Sequence, residues 1–256
     1  MLLAFDIGNT RIKSGVFHEK ILSGFRSFKD IIEIEDFLHH SVFTSAAISS
    51  VVPHKLNKLI KLLNKFEIKT FIIDKSVHFN LKINYDSLET LGMDRICSAE
   101  GALLLYKNSA NNEQSSNTYL ISIDCGTATT IDIVKYPGEF IGGMISPGIS
   151  MMFDSLNNKT AQLPAVLPTD YKDLIARNTK SSIASGVINS TIGLIERVIQ
   201  LLKSEMSATE IKLYITGGNA EFILSYLKYE FYYEKGLVLY GIKSIHTTNI
   251  EQPEED

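Results

Sequence analysis

Asp6 is the first residue of this sequence with an obvious capacity for chemistry. It ends the apolar run LLAF and is followed by the segment GNTRIK at positions 8–13. The glycine lets a phosphate approach the backbone closely, and the asparagine, threonine and lysine supply donors. The Asp6 carboxylate would repel a phosphate, so it requires a cation or water between them. The segment Asp6–Lys13 predicts a phosphate-binding hairpin, although an ordinary Gly-Asn hairpin at the start of a sheet gives the same pattern.

A similar phrase returns in the second half of the chain. Tyr119–Val134 reads YLISIDCGTATTIDIV, in which an apolar run again ends in an aspartate, Asp124, and Gly126 follows one residue later. We interpret the repetition as two related halves that each present one aspartate to a common cleft. Thr127 adjoins the glycine and is the hydroxyl that we expect on a phosphate.

A third candidate site is the quartet GMDR at Gly92–Arg95. Apolar residues at helical spacing follow it, which places Asp94 and Arg95 in the first turn of a helix. Helix N-termini favour anions, so an anionic substrate could bind there with Arg95 while Asp94 takes a proton from a substrate hydroxyl. The alternative is that Asp94 only stabilises its own helix, with Arg95 as a surface partner.

The elements that position these residues alternate between strand and helix patterns, which favours an α/β layered fold. Thr179 or Ser181 could cap a long helix, and the methionines after Gly148 are typical of core or interface packing. The other predicted elements are strands at Ile21–Phe28, Ala46–Val52 and Thr70–Asp74, helices at Ile31–His40, Leu56–Leu63 and Glu221–Tyr229, and a final apolar segment at Gly236–Ile245.

The polar stretch Lys107–Thr118 is the best candidate for a linker. We therefore predict an N-terminal domain at 1–112 and a C-terminal domain at 118–250. The acidic tail EQPEED is expected to fray.

Composition narrows the class of protein. The 256 residues are 45% apolar and 21% charged, as in globular proteins, and the net charge of −4 disfavours a nucleic-acid binder. No apolar run approaches the length of a membrane span, and Asp6 interrupts an N-terminal stretch that lacks a basic region, so we expect no signal peptide. Cys97 and Cys125 give no metal or disulfide pattern, and we expect a reducing cytoplasm.

Taken together, these phrases resemble those of type III pantothenate kinases, the first enzymes of coenzyme A synthesis, within the acetate and sugar kinase, heat-shock chaperone and actin superfamily. The resemblance covers nearly the whole chain, and the order and spacing of its phrases are more specific than any one of them. The matching phrases are DIGNTRIK at 6–13, GMDR at 92–95, DCGTATTID at 124–132, GGMISPG at 142–148, TAQLPAV at 160–166, NT at 178–179 and TGG at 216–218.

The resemblance implies two ribonuclease-H-like domains, as in actin-like ATPases, with a nucleotide cleft between them. It implies the ATP-dependent phosphorylation of pantothenate to 4'-phosphopantothenate, with Mg²⁺ and a monovalent cation, K⁺ or NH₄⁺, as cofactors. It also implies a cytoplasmic homodimer with the pantothenate site near the dimer interface, and neither nucleic acid nor membrane as a partner.

The resemblance also assigns roles to individual residues. Asp94 would accept the proton and Asp124 would bind the monovalent cation. Asn189 and Ser190, in the helix expected to contribute to the dimer contact, depart from the bulkier residues expected there. The nucleotide-binding residues would be Asp6, Ile7, Gly8, Asn9, Thr10, Arg11, Ile12, Lys13 and Thr127. The pantothenate-binding residues would be Tyr85, Gly92, Met93, Asp94, Arg95 and Thr179.

Two other classes of function fit the same sequence. One is a regulator or binding protein that kept the fold and lost the reaction, because a fold alone does not fix an activity. The presence of Asp6, Asp94, Arg95 and Asp124 together favours an enzyme. The other is a kinase of another small hydroxy acid or sugar.

Overall fold

The computed structural model describes residues 1–40, 42–109 and 117–251. The central part of the predicted linker and the acidic tail after residue 251 lie outside the described residues. The strands are β1 (Leu2–Ile7), β2 (Ile12–His18), β3 (Ile21–Phe28), β4 (Ser45–Ser50), β5 (Lys69–Ile73), β6 (Lys82–Ile83), β7 (Thr118–Cys125), β8 (Ala128–Lys135), β9 (Glu139–Pro147), β10 (Glu210–Thr216) and β11 (Phe231–Tyr233). The helices are α1 (Ile31–His39), α2 (Pro53–Lys65), α3 (Met93–Asn108), α4 (Ile149–Lys159), α5 (Thr179–Glu205) and α6 (Leu237–Glu251).

The chain forms two compact units. The first comprises Met1–Glu113, Gly138–Ile141 and Gly236–Asp256, and the second comprises Gln114–Pro137 and Gly142–Lys235. This grouping differs from the predicted boundaries in placing the C-terminal helix α6 with the first unit. The boundaries 1–112 and 118–250 stay a prediction.

The first unit is built on a sheet with the strand order β3-β2-β1-β4-β5. β1 pairs antiparallel with β2, and β4 pairs in parallel with both β1 and β5. Every residue of β1 is buried, as its apolar composition predicts for a central strand. Leu3, Phe5 and Ile7 share one core cluster with apolar side chains of α1 and α2. Because side chains alternate along a strand, Asp6 lies on the opposite face of the sheet.

That opposite face of β1 contacts α6, which packs closely against α3. A side chain at Gly101 would collide with the backbone of Leu237, and one at Gly241 would collide with the backbone of Cys97. Two glycines therefore allow the helices to approach. This packing explains why α6 belongs to the first unit, which no local sequence pattern indicates.

Glu100 holds α3 in place. Its buried carboxylate accepts hydrogen bonds from the Leu81 amide (3.0 Å), the Asn80 side chain (3.0 Å) and the Ser244 hydroxyl (3.3 Å). Burial raises the pKa of this carboxyl group, and the hydrogen bonds oppose the shift. The network connects α3 to α6 and to the segment before β6, and it thereby fixes the helix that carries Asp94.

The strands of the second unit follow the order β11-β10-β7-β8-β9. β7 pairs antiparallel with β8, and β10 pairs in parallel with both β7 and β11. This repeats the order of the first sheet, with β7 in the place of β1. The α/β class is confirmed, and the repetition agrees with the two ribonuclease-H-like domains that the resemblance implies.

Most predicted elements are confirmed within a residue or two. The helix predicted at Glu221–Tyr229 is wrong: Ala220–Phe222 and Leu224–Tyr226 are short 3-10 turns with hydrogen bonds three residues apart. The cap predicted at Thr179 or Ser181 is also wrong, because the Asn178 side chain accepts from the Ser181 amide at 3.0 Å. Among the described residues, no helix combines the length and apolarity needed to cross a membrane.

Candidate active site

The first candidate segment is the connection between β1 and β2. Asp6, 7% exposed, lies opposite Lys13 in the strand register, and the lysine Nζ is 4.0 Å from its carboxylate. Residues 8–11 form a four-residue loop, wider than the predicted Gly-Asn turn, in which the Gly8 amide donates to the Arg11 carbonyl at 3.0 Å.

The loop exposes the side chains of Asn9, Thr10 and Arg11, whereas Ile7 and Ile12 are buried in the core. The two isoleucines therefore have only backbone groups to offer a ligand.

Lys55, in the first turn of α2, reaches the same loop. Its Nζ donates to the Gly8 carbonyl at 3.2 Å and to the Asn9 carbonyl at 2.6 Å. Sequence reasoning missed this residue because it is far from the loop along the chain and belongs to no phrase of the motif.

The quartet GMDR begins α3 as predicted, with Gly92 at the cap position. The half-buried Asp94 carboxylate accepts from the Arg95 amide at 2.9 Å, and a side chain at Gly92 would collide with that carboxylate. Arg95 is 5% exposed, so the alternative of a surface partner is wrong. Its guanidinium carbon lies 5.8 Å from the centre of the Tyr85 ring, which packs edge-on against Phe140.

Lys75 is a second cation that sequence reasoning missed. It donates to the Leu91 carbonyl, immediately before the quartet. Burial lowers the pKa of Lys75, and the charges of Cys97, Asp94 and Glu89 oppose this shift. The basic group therefore lies near the proposed base.

Cys97 is a fully buried thiol on α3, three residues after Asp94. Burial raises the pKa of its thiol, and the charges of Asp6, Glu100 and Asp94 add to the shift. These carboxylates therefore act on one buried sulfur.

The second unit carries the related hairpin of β7 and β8. Asp124 is half-buried, Thr127 is exposed at the tip, and the Gly126 amide donates to the Ala128 carbonyl at 3.0 Å. The Asn219 amide donates to the Cys125 carbonyl at 2.9 Å, and its side chain donates to the Gly126 carbonyl at 2.9 Å. The turn is thus held by backbone and amide groups.

Glycines surround the Asp124 carboxylate. Gly217 has a φ of +98°, and a side chain there would lie 2.5 Å from Asp124 Oδ1 and would collide with the Cys125 backbone. A side chain at Gly126 would lie 3.4 Å from the same oxygen. The glycines therefore let backbone approach the carboxylate more closely than a larger residue at Gly217 would allow.

Thr179 lies elsewhere in the second unit, where it lines a cavity of about 1030 Å³ formed largely by residues of α4 and α5. Ser190, where a bulkier residue was expected, also lines this cavity, and its hydroxyl donates to the Gly186 carbonyl. Asn189 instead donates to the Ser185 carbonyl at 2.9 Å. The walls include Pro147, Met151, Met152, Leu156, Leu163, Arg177 and Ile183.

Comparison with known proteins assigns the chain to a family. A model of the type III pantothenate kinase family matches residues 2–201. The chain belongs to the type III pantothenate kinase family. Proteins named type III pantothenate kinase from Sulfurihydrogenibium sp. (strain YO3AOP1) and Geobacter sp. (strain M21) are each 31% identical to it. These similarities cover 94% and 97% of this chain and 98% and 100% of those proteins. A third protein of that name, from Syntrophobacter fumaroxidans, is 32% identical to this chain. The similarity covers 99% of this chain and 100% of that protein.

Solved structures share the fold at lower identity. A protein from Campylobacter jejuni described as a Baf family transcriptional activator has a TM-score of 0.63 at 23% identity, covering 98% of this chain and 100% of that one. The ethanolamine utilization protein EutJ from Carboxydothermus hydrogenoformans has a TM-score of 0.50 at 14% identity, covering 95% and 89%. These likenesses concern the fold alone.

The predicted site residues of this family member all lie within the range that the family model matches. The first unit holds the segment Asp6–Lys13, Tyr85 and the quartet Gly92–Arg95. The second unit holds Asp124, Thr127 and Thr179. The roles of these residues stay predictions. Among the described residues, no group of three or more His, Cys, Asp or Glu side chains could hold a metal ion by itself.

Proposed function

We propose that this protein transfers the γ-phosphoryl group of ATP to the primary hydroxyl of pantothenate, giving 4'-phosphopantothenate in the first step of coenzyme A biosynthesis. The observation that carries the proposal is the family match over residues 2–201, which includes every residue with a proposed role. Phosphoryl transfer depends mostly on positioning and on neutralising charge.

Asp6–Lys13 and Thr127 are the proposed nucleotide contacts. Lys13 supplies positive charge at the buried end of β1, and the loop supplies backbone amides. Mg²⁺ is held in proteins by one or two carboxylates together with substrate phosphates, and the single carboxylate of Asp6 fits that requirement. A bound Mg²⁺ would neutralise phosphate charge, with Asp6 behind a water molecule.

Asp124 is the proposed ligand of the monovalent cation, K⁺ or NH₄⁺. Its half-buried carboxylate supplies negative charge and oxygen ligands for such an ion, and Gly217 brings backbone close to it. The ion would add positive charge near the phosphates. The Asp124 carboxylate lies beside the tip that carries Thr127, so one turn serves both contacts.

Asp94 is the proposed proton acceptor for the pantothenate hydroxyl. Its carboxylate is half-buried at the start of α3, and the Arg95 amide fixes its orientation. Arg95 and the helix N-terminus hold the substrate carboxylate, since both favour anions. The remaining proposed pantothenate contacts are Tyr85, Gly92 and Met93 in the first unit and Thr179 in the second.

The deciding experiment follows ADP release from purified protein with ATP, Mg²⁺ and K⁺, with and without pantothenate. We expect pantothenate-dependent release, and Asp94→Asn is expected to lower kcat by about 10²–10⁴-fold because a positioned base is lost. Glu89→Gln, also acidic and near the same helix, is the matched control and should keep the parent rate. ADP release that does not depend on pantothenate would favour another acceptor, and no release would favour a non-catalytic relative.

We also propose a cytoplasmic homodimer. Large apolar side chains are exposed in the second unit near the cavity, notably Ile145 (64%), Leu174 (66%) and Ile175 (84%). Such exposure supports a protein interface. Light scattering should give twice the mass of one chain, and Ile175→Glu should shift it toward the monomer. Ile32→Glu, at an exposed isoleucine of the first unit, should leave the mass unchanged.

A further inference from the structure

Lys55 occupies an unusual position for a lysine. It is in the first turn of α2, where the helix dipole disfavours a positive charge, and this turn contains no acidic residue. The side chain is half-buried and turns back toward the β1–β2 loop. The helix dipole therefore does not favour a lysine here, whereas the side chain makes two hydrogen bonds with the loop.

These hydrogen bonds fix two consecutive peptide groups. Nζ contacts the carbonyl oxygens of Gly8 and Asn9, at 3.2 Å and 2.6 Å. Both peptide bonds are trans, since the described cis bond is elsewhere, at Tyr136–Pro137. In a trans peptide the C=O and the following N–H point in opposite directions. The N–H groups of Asn9 and Thr10 therefore point away from Lys55.

Hydrogen bonds fix the backbone at the start of α2, where Lys55 lies. Pro53 opens α2, and the Lys55 amide donates to the Val52 carbonyl at 3.1 Å. The Val51 amide donates to the Ile7 carbonyl at 3.2 Å, which connects the end of β4 to the end of β1. The backbone of Lys55 is thus linked through Val52 and Val51 to the end of β1, where the loop begins.

We propose that Lys55 is a positioning residue that holds the β1–β2 loop in the conformation that receives the nucleotide phosphates, an inference that rests on the proposed function. By drawing the Gly8 and Asn9 carbonyl oxygens to itself, Lys55 keeps negative dipole ends away from an incoming polyphosphate and presents the two amides. The role is distinct from that of Lys13, which pairs with Asp6.

The test compares Lys55→Met, which keeps the length of the side chain but removes its donors, with Lys58→Met, an exposed lysine on the same helix. We expect Lys55→Met to raise the KM for ATP by about threefold to tenfold, with kcat and the KM for pantothenate within about twofold of the parent. Lys55→Arg, which keeps the charge, should recover most of the loss. Lys58→Met should match the parent.

A second readout needs no catalysis. In ligand-free protein, amide hydrogen exchange of a peptide spanning residues 6–13 should be faster in Lys55→Met than in the parent or Lys58→Met. An unchanged exchange rate would overturn the positioning role, whatever the KM. An unchanged KM for ATP would overturn its connection to the nucleotide. If the parent does not phosphorylate pantothenate, the proposed function fails, and the affinity for ATP measured by calorimetry replaces KM in testing Lys55.

Discussion

The two hairpins that carry Asp6 and Asp124 follow the same plan with different chemistry around the carboxylate. Each aspartate lies near the end of the central strand of its sheet, and each is followed by one residue and a glycine. Across the ladder, however, Asp6 faces Lys13, whereas Asp124 faces Thr130. The first loop has four residues, and its carbonyl groups accept hydrogen bonds from a second lysine, Lys55 on α2. The second loop has two residues, and glycine backbone packs against it.

This difference agrees with the two separate roles that we propose for the aspartates. The cationic surroundings of Asp6 suit a carboxylate that works beside phosphates. Asp124 instead lies close to glycine backbone, since a side chain at Gly217 would lie 2.5 Å from its Oδ1 and one at Gly126 would lie 3.4 Å from it. The repeated motif therefore has a similar strand pairing in both halves, and the residue opposite the aspartate differs between them.

The largest expected effect separates the two carboxylates. Asp6→Asn should lower kcat/KM for ATP by about 10²–10³-fold, because charge that positions the phosphates is lost. It should leave the K⁺ concentration for half-maximal rate unchanged. Asp124→Asn should instead raise that K⁺ concentration by about tenfold, with recovery at high K⁺. Both are read from initial rates at varied ATP and K⁺. The same K⁺ shift in both variants would remove the distinction.

The glycines give the next contrast. Gly217→Ala should lower the free energy of unfolding by about 3 kcal/mol or more, because φ is +98° and the new methyl group would collide with Cys125. Gly8→Ala should cost less than about 1.5 kcal/mol, because the methyl group would lie 3.3 Å from the Arg11 carbonyl and φ is not positive. Urea titration measures both. Equal losses would mean that the two turns are equally tight.

Sequence reasoning succeeded where the signal is local. The buried strand before Asp6, the helix start at Gly92–Arg95 and the second hairpin follow from apolar runs, glycines and short spacings. It failed at Glu221–Tyr229, where apolar spacing suggested a helix. There Ile223 is fully buried and Tyr226 packs against Tyr171, so tertiary contacts decided the backbone.

The remaining parts of the site depend on long-range contacts. Lys55 reaches a loop 46 positions earlier, and α6 packs on α3 from the far end of the chain. The burial of Arg95 also follows from packing and not from its neighbours in sequence. A single sequence contains no pattern that pairs such positions.

A smaller effect should come from the residues opposite the aspartates. Lys13→Met should raise the KM for ATP by about tenfold, since a charge-assisted contact is lost. Thr130→Val, at the corresponding position of the second hairpin, should change that KM by less than about twofold. Steady-state kinetics at saturating pantothenate measure both. An equal rise in the two variants would contradict the cationic character of the first hairpin alone.

The smallest effect concerns the two buried thiols, Cys97 on α3 of the first unit and Cys125, which directly follows Asp124. Burial, and then the charge of Asp124, raises the pKa of Cys125 to about 12, and burial is also the largest cause of the raised pKa of Cys97. Because both pKa values rise on folding, the thiols stay protonated at pH 8, and their contribution to stability is lost only as the pH rises above about 8.5. A disulfide reagent at pH 8 should therefore label neither thiol in the native protein and both in urea. Since burial outweighs the carboxylates, Asp6→Asn and Asp124→Asn should leave native labelling almost unchanged. Rapid labelling of Cys125 in Asp124→Asn alone would show that the charge, and not the packing, protects the second hairpin.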